Sequence, residues 1–385
     1  MNTKPSLHIE AVMGPDAFKY PWGRNIFHSM MNECSRKKIS FSLMDSRKQD
    51  VEEYLTGSEK QNRFYVIMGF ELAQTIKIVE KAAAVDMNIV LLKNIDLPMK
   101  KGARIFYDIE NAFSDITRHV LKSGRKKPAL VGYDHNNLGD RKKLVAFKRV
   151  LAEYGLECKE NDIYHATNGI HSCLSHFSST IGNYDAALCT TDLIACMFLK
   201  CGFLRGREVP EDIAVSGFDN FTMGQMVNPS ITTVTGNTDD IGKSSVITAQ
   251  LLHRETCIQR VDVTCGYEIF LRASTGCRNE SYEKPQMKKL QPVKICDPGT
   301  TDLLLKIEKL ISSGNTHDIL ILKGLFRNIT YTALADQLFM TERNLNYRIK
   351  SILKNLGMVH KSELLTKLEF LKDDILQYEN KNALP

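Results

Sequence analysis

The feature that most constrains the fold of this chain is an alternation of short apolar runs with longer helical patterns, which continues to about residue 275. Runs rich in β-branched and aromatic residues are typical of strands. They recur here as LHIEAVM, FSLM, FYVIMGF, NIVLLKN, PALVGYD, DAALCT and IAVSGFD. Strands that alternate with helices form parallel sheets, because each helix crosses over between two strands. The sequence therefore predicts an α/β fold with parallel sheets and crossover helices.

The stretches between these runs have helical periodicity. They include GRNIFHSMMNECSRKK, LAQTIKIVEKAAAV, ENAFSDITRHVLKSG, DRKKLVAFKRVLAEYG and DLIACMFLKCG. In the last of them, Asp192 occupies the position expected of an N-cap and Gly202 that of a C′ glycine. We expect this helix to lie between these two residues.

The pattern changes after residue 275. Residues 276–300 are polar, contain proline and show no period, which predicts a linker. Residues 301–385 have helical patterns throughout, starting with TDLLLKIEKLISS. We therefore predict an α/β domain over 1–275 and a separate all-α domain over 301–385.

Composition excludes several classes of protein. The N-terminus has no long apolar segment, and no apolar run is long enough to span a membrane, so a cytoplasmic location is expected. The ten cysteines form no C-x-x-C pair and are expected to be reduced. The cluster His165, His171, Cys173 and His176 matches no zinc spacing, so no metal or cofactor is expected. The chain has no Gly-x-Ser-x-Gly, Walker or His-Glu-x-x-His motif, which argues against an enzyme.

The stretch DAALCTTDLIACMFLKCGFLRGREVPEDIAVSGFDNFTMGQMVNPSITTV resembles the C-terminal lobe of the LacI-type sensors, which have a periplasmic-binding-protein-like fold. Pro21-Trp22, Asp108, Ala146-Phe147 and GYEIFLRAST agree with it, and the resemblance covers about residues 7–275. It implies two lobes, the first about 7–108 plus 235–275 and the second about 109–234. It also implies a small-molecule effector, a sugar or related metabolite, in the cleft between them, where loops at the carboxyl ends of the strands supply the contacts.

The candidate effector contacts come from the resemblance and from positions at strand ends. Asp219 aligns with the family's hydroxyl-binding aspartate, and a carboxylate suits polyols because it accepts two strong hydrogen bonds. Lys143 stands where many relatives have an arginine, so the usual ligand class is in doubt. Trp22 either offers an aromatic face to a ring or packs beneath its loop. The remaining candidates are Thr191, where the family often has asparagine, and Asp45, Phe70, Asp134 and His135, which end strands.

Residues 316–366 resemble the LuxR-type helix-turn-helix, which we place at about 316–370. The apolar faces of its three helices are formed by Ile321, Leu322, Leu325, Leu334, Ala335, Leu338, Leu345, Ile349, Ile352 and Leu356. Asn328 stands where the family favours glycine, but asparagine tolerates a left-handed backbone. Ala333 stands where an acidic residue is usual, and Gly357 is expected to end the third helix.

The third helix would be the recognition helix. Thr341 is expected to cap it, which lets the helix N-terminus face a phosphate. With the apolar residues turned inward, the outer face holds Arg343, Asn346, Tyr347, Lys350 and Lys354. These side chains can reach base edges and phosphates. A charged stripe is often only a solvated face, but its place in an ordered helix-turn-helix pattern favours double-stranded operator DNA.

The sequence thus predicts a ligand-responsive transcriptional regulator that binds DNA as a homodimer. The alternative is a solute-binding or protein-interaction sensor that does not read DNA.

Overall fold

The structure is a computed structural model that describes residues 6–57, 62–95, 97, 99, 101–277, 297–313 and 316–378. The strands are β1 (His8–Met13), β2 (Ser40–Asp45), β3 (Arg63–Met68), β4 (Asn88–Leu91), β5 (Gly102–Tyr107), β6 (Pro128–Tyr133), β7 (Ile163–His165), β8 (Ala186–Cys189), β9 (Ala214–Ser216), β10 (Thr233–Gly236), β11 (Arg260–Cys265) and β12 (Tyr267–Phe270).

The helices fall into two groups along the chain. Those of the α/β part are α1 (Pro15–Lys19), α2 (Pro21–Lys37), α3 (Val51–Gly57), α4 (Leu72–Ala84), α5 (Ile109–Lys122), α6 (Leu138–Glu153), α7 (Ile170–Thr180), α8 (Asp192–Lys200), α9 (Thr222–Met226) and α10 (Thr238–Arg254). Those of the C-terminal part are α11 (Thr300–Ile311), α12 (Thr316–Phe326), α13 (Tyr331–Gln337), α14 (Glu342–Leu356), α15 (Lys361–Lys367) and α16 (Lys372–Gln377).

The larger sheet has six strands in the order β11-β5-β4-β3-β1-β2. Its pairings are parallel, and Met13 at the end of β1 is level with Asp45 of β2 and Met68 of β3. Successive residues of a strand face opposite sides of the sheet. Val12 accordingly joins one buried apolar cluster and Met13 another. Both faces of this sheet are therefore covered, which explains why its inner strands read as continuous apolar runs.

The smaller parallel sheet has the order β7-β6-β8-β9. Val131 of β6 pairs with Cys189 of β8, and Leu188 of β8 pairs with Ser216 of β9. The carboxyl ends of these strands therefore meet at one edge. β10 and β12 form a separate two-stranded sheet.

The chain divides into two compact units. The first comprises Met1–Ala112, Asn136–Lys142 and Thr235–Glu268, and the second comprises Phe113–His135, Lys143–Val234 and Ile269–Pro385. The C-terminal helices α11 to α16 belong to the second unit. Within the predicted linker, residues 278–296 lie outside the described residues. Of the described helices, none is both long and apolar enough to cross a membrane.

Each predicted strand run contains an observed strand, but some strands escaped prediction. β7 has only three residues, too few to establish a pattern. In β11, charged and polar residues alternate with half-buried ones, and Asp262 pairs with Arg104 of β5. β11 lies at the edge of its sheet, where charged side chains are tolerated because one side of the strand is free of other strands.

Candidate functional site

The loop after β9, residues 217–221, holds the strongest effector candidate and is named here the effector loop. Its central residues Asp219 and Asn220 have φ of 91° and 51°, a left-handed backbone that Asp and Asn tolerate better than other residues. The N–H of Asp219 donates to the carbonyl oxygen of Val234 at 2.9 Å. The Asp219 side chain is only partly buried. The loop is thus fixed through its backbone, and Asp219 remains partly exposed.

Beneath the effector loop lies Asp192, which the sequence predicted to cap α8. This prediction is wrong, because Thr191 is the N-cap and its hydroxyl accepts from the N–H of Ile194 at 3.3 Å. Asp192 is fully buried, and its carboxyl accepts from the N–H of Phe221 at 2.7 Å. Gly202 does have the left-handed backbone expected of a C′ glycine, with φ of 76°.

Burial raises the pKa of Asp192 to about 8. Hydrogen bonds from Thr233 and from the Phe221 N–H oppose this rise, and the nearby charge of Asp219 adds to it. A carboxyl group with such a pKa is mostly neutral at pH 7. Asp192 therefore contributes little negative charge at this end of the sheet at pH 7.

Arg272 also holds the effector loop in place. Its guanidinium donates to the Asn220 side-chain oxygen at 2.6 Å and to the Ile231 carbonyl at 2.8 Å. Burial lowers the pKa of Arg272, and the charge of Asp192 acts in the opposite direction. Arg272 lies in GYEIFLRAST, a stretch that the sequence analysis used only for the family resemblance and to which it assigned no role. Its contacts are far apart in the chain, so no local pattern could have found them.

Lys143 has a supporting position. It is 5% exposed, its ammonium donates to the Thr190 carbonyl at 2.7 Å, and it lies 4.2 Å from the centre of the Phe218 ring. A cation over an aromatic face is stabilised by the ring quadrupole. These contacts of Lys143 connect α6 to the effector loop. They engage the same ammonium group that the sequence predicts to contact the effector.

The other second-unit candidates lie at the same edge of the smaller sheet. Asp134 follows β6 and is half-buried, and His135 beside it is exposed. Thr191 follows β8 and is half-buried, with its hydroxyl engaged in the α8 cap. Together with Asp219, these residues follow three neighbouring parallel strands. This is the edge at which open α/β sheets bind ligands.

In the first unit, Trp22 lies in the first turn of α2, half-buried against the core. Phe18 and Tyr20, which sequence reasoning did not single out, are also half-buried and lie close to Trp22 in the chain. Phe70 is 3% exposed and belongs to the core, so its side chain has almost no surface for a ligand. The prediction of Phe70 as a contact rested only on its place at a strand end.

Asp45 is buried at the end of β2 and already has a cationic partner. Both of its oxygens accept hydrogen bonds from Arg47, at 2.9 and 2.7 Å, and Arg47 holds the pKa of Asp45 below its usual value. The Arg47 guanidinium carbon lies 3.6 Å from the centre of the Phe18 ring. Arg47 therefore neutralises the charge of Asp45 and stacks on the ring of Phe18. Neither contact was predicted from the sequence.

Lys93, which follows β4 in the first unit, is a further polar group that was not predicted from the sequence. Its ammonium donates to the Phe70 carbonyl at 2.6 Å. Burial lowers the pKa of Lys93, while the charges of Asp16 and Glu71 raise it. Burial also raises the pKa of Asp16.

The C-terminal helices have the caps that the sequence indicated. The Thr341 hydroxyl accepts from the N–H of Asn344 at 3.2 Å, and Gly357 ends α14 with φ of 73°. Asn328 has φ of 54°, as expected for a residue in a glycine position. The predicted inner residues of α14 are buried, namely Leu345, Ile349, Ile352 and Leu356. Of the predicted outer residues, Asn346 is half-buried and the exposed ones are Arg343, Tyr347, Lys350 and Lys354.

Phe339, between α13 and α14, was not singled out from the sequence. It is 99% exposed and has φ of 52°, a left-handed conformation that is unfavourable for a bulky residue. An exposed aromatic side chain on a strained backbone is often retained for contact with a partner.

Comparison with known proteins defines the class of the sensor. Residues 117–275 match the family model described as "Periplasmic binding protein-like domain". The structure is similar to a transcriptional regulator CelR–cellobiose complex, with a TM-score of 0.61 and 16% identity, over 71% of this chain and 86% of that one. The chain therefore contains a periplasmic-binding-protein-like α/β domain.

The curated relatives narrow this class. HTH-type transcriptional regulator DegA of Bacillus subtilis is 22% identical over 62% of this chain and 68% of its own length. Catabolite control protein A of Staphylococcus xylosus is 28% identical over 44% of this chain, which spans about half of that relative. The α/β part of the chain is thus similar to that of transcriptional regulators such as DegA and catabolite control protein A. The prediction that the chain is not an enzyme agrees with these relatives.

Proposed function

We propose that this protein is a cytoplasmic, homodimeric transcriptional regulator that binds a sugar or related metabolite and reads operator DNA through residues 316–370. The observation that carries the proposal is the joining, in one chain, of two features. One is a periplasmic-binding-protein-like domain with the partly exposed Asp219 after a strand of its smaller sheet, and the other is a capped helix, α14, with an exposed basic face.

The chemistry of the strand ends supports a sugar-like effector. A carboxylate such as Asp219 accepts two hydrogen bonds from adjacent hydroxyl groups. The half-buried rings of Tyr20 and Trp22 in the first unit are side chains of the kind that cover sugar rings. The CelR structure is described as a cellobiose complex, which makes cellobiose a reasonable first probe.

Asp219→Ala should abolish the thermal stabilisation that a sugar effector gives. A ligand that binds only the folded protein raises the melting temperature in proportion to the logarithm of its concentration over Kd, so a weaker affinity removes the shift. The measurement is a thermal-shift titration with cellobiose and a panel of other sugars. Asp115→Ala is the control, since this half-exposed residue of α5 pairs with Arg118 at the surface. An equal shift in wild type and Asp219→Ala would refute the assignment of Asp219.

The charge and the shape of α14 support DNA as the partner of the C-terminal helices. Between Thr341 and Lys361 the only acidic residue is Glu342, against five basic ones. The basic residues are Arg343, Arg348, Lys350, Lys354 and Lys361. The Arg348 guanidinium lies 3.7 Å from a carboxylate oxygen of Asp318. Arg348 is therefore not counted among the outer, DNA-facing residues. A helix N-terminus with Thr341 as its cap can face a phosphate, while the following turns reach base edges.

Arg343→Ala and Lys354→Ala should each weaken binding to every DNA sequence and reduce the salt slope by about 1, because each removed cation leaves a phosphate with its counterions. Asn346→Ala, Tyr347→Ala and Lys350→Ala should instead relax base preference. Each good contact between a side chain and a base edge that is lost should reduce discrimination against the wrong base by roughly 1–3 kcal/mol. The measurement is titration of duplexes selected from a random library, at several salt concentrations. Lys122→Ala, an exposed change on α5, is the control. Unchanged affinity of both cation variants would contradict DNA binding by α14.

A second candidate function, a protein-interaction sensor without DNA readout, is favoured by one observation. The C-terminal segment exposes Phe339, Tyr347 and Val359, with exposures of 99%, 76% and 74%. Exposed apolar side chains of this size often mark protein interfaces when they are contiguous. A library selection that enriches no duplex, with the wild-type chain folded, would favour this function over DNA binding.

A further inference from the structure

Helix α11 of the C-terminal segment brings a buried carboxylate to the effector loop. Glu308 is 1% exposed and accepts hydrogen bonds from the N–H groups of Thr222 at 2.9 Å and Met223 at 2.7 Å. These are the first N–H groups of α9, which have no partner inside the helix. No side-chain cap is present at Phe221, the N-cap residue of α9. Glu308 therefore performs the capping function from a distant part of the chain.

The residues capped in this way directly follow the effector loop. Asp192 accepts from the N–H of Phe221, and Glu308 accepts from the next two N–H groups. The exit of the loop is thus held by one carboxyl group from the sensor and one from the C-terminal segment. Any rearrangement of the loop around a ligand at Asp219 would change the positions of the N–H groups that Glu308 holds.

Helix α11, which carries Glu308, also contacts α14. Helix α11 packs against α8 and α9 and also against α12 and α14, all within the second unit. Its buried residues include Leu304, Ile307 and Leu310, so the helix is fixed by apolar contacts along its length. The Lys306 ammonium lies close to Gly357, at the end of α14. A shift of α11 therefore has to be accommodated by the proposed recognition helix.

We infer that Glu308 is a positioning residue through which the effector loop and helix α14 affect one another. This inference rests on the proposed function, because it assumes that α14 binds DNA and that the loop binds an effector. It assigns the regulation to one side chain: DNA on α14 changes the stability of the loop exit, and the effector changes DNA affinity by the same factor.

A second acidic contact between the same parts of the chain provides a matched control. Asp374 of α16 is 3% exposed, accepts from the N–H of Asn228 at 2.9 Å and pairs with Lys200 at 2.7 Å. Burial raises the pKa of Asp374, and the charge of Lys200 lowers it. Its partners lie at the end of α8 and beyond α9, not at the exit of the effector loop. Asp374 thus attaches the C-terminal helices to the sensor without touching the residues that Glu308 holds.

The test uses the full chain and a DNA duplex enriched from a random library, so it does not depend on knowing the effector. Hydrogen–deuterium exchange is followed in the peptide covering residues 217–227, with and without saturating duplex. Energetic coupling between two sites is typically about 5-fold or more, so the wild type should show a change in exchange of at least that size. Glu308→Gln keeps the size of the side chain, but its amide NH2 cannot accept a hydrogen bond, so one of the two N–H groups loses its acceptor. In this variant the DNA-dependent change in exchange should disappear. In Asp374→Asn the change should remain.

The outcomes separate this inference from the proposed function. If the wild type binds no duplex, the proposed function fails. If the wild type binds duplex while exchange of residues 217–227 stays the same, the inference fails, whatever the variants do. It also fails if folded Glu308→Gln keeps the DNA-dependent change, or if Asp374→Asn loses it to the same extent. A Glu308→Gln variant that unfolds leaves the decision to the wild-type comparison and to Glu308→Asp, which should retain part of the change.

Discussion

Asp192→Asn should be less sensitive to pH than the wild type and more stable at pH 8. The physical reason is the environment of Asp192, whose burial raises its pKa from 3.8 to about 8. The folded protein keeps a proton that the unfolded chain releases above about pH 4. Because the folded state then binds more protons than the unfolded state, the free energy of unfolding decreases as the pH rises from about 4 toward 8. Below about pH 4 both states are protonated, and Asp192 causes no pH dependence. Each unit of difference is worth about 1.4 kcal/mol, so the wild type should lose on the order of 5 kcal/mol across this range.

Asparagine has nearly the same shape, and its oxygen can still accept from the N–H of Phe221, but it does not titrate. The measurement is urea unfolding of wild type and Asp192→Asn at several pH values between 4 and 8. Asp212→Asn, at an exposed site, corrects for the general effect of removing a carboxylate. Parallel pH profiles for wild type and Asp192→Asn would show that Asp192 is ionised in the folded state.

Gly217→Ala should destabilise the second unit by roughly 3 kcal/mol, since overpacking a rigid site forces backbone and side chains apart. A Cβ on Gly217 would lie 2.0 Å from an oxygen of Asp192 and 3.0 Å from its Cα, and the latter cannot move without moving helix α8. Gly224→Ala is the matched control, because a Cβ there would lie 3.2 Å from the other oxygen of the same carboxyl. The control should be close to neutral, as alanine also favours the helix. Thermal unfolding of both variants measures the difference, and equal melting temperatures would contradict the close packing at Gly217.

The regular parts of the fold were predictable because each is specified by residues close together in the chain. The apolar runs of β1, β3 and β6 are buried on both faces, so their composition alone identifies them as strands. Helix α14 carries its start at Thr341, its end at Gly357 and its inner face in a single stretch of sequence. The same local signals could not distinguish Thr191 from Asp192 as the cap of α8, since both residue types cap helices.

The candidate site was less predictable because its groups are defined by contacts between distant segments. Asp219 could be proposed from its place after a strand and from the family resemblance. Phe70 and Lys143 satisfied similar criteria, yet Phe70 packs in the core and Lys143 is held by Thr190 and Phe218. Arg272 and Glu308 were missed for the opposite reason, since each looks ordinary in sequence and acquires its role only from tertiary contacts.

The contacts of α11 and α16 with the rest of the second unit have a consequence for synthesis of the protein. The first unit contains residues up to Glu268, so all of its chain has left the ribosome while the C-terminal helices are still being made. The second unit needs Glu308 to cap α9 and Asp374 to pair with Lys200. Domains generally fold as units during synthesis. The second unit, which carries Asp219, should therefore reach its final packing only after α11 and α16 have left the ribosome.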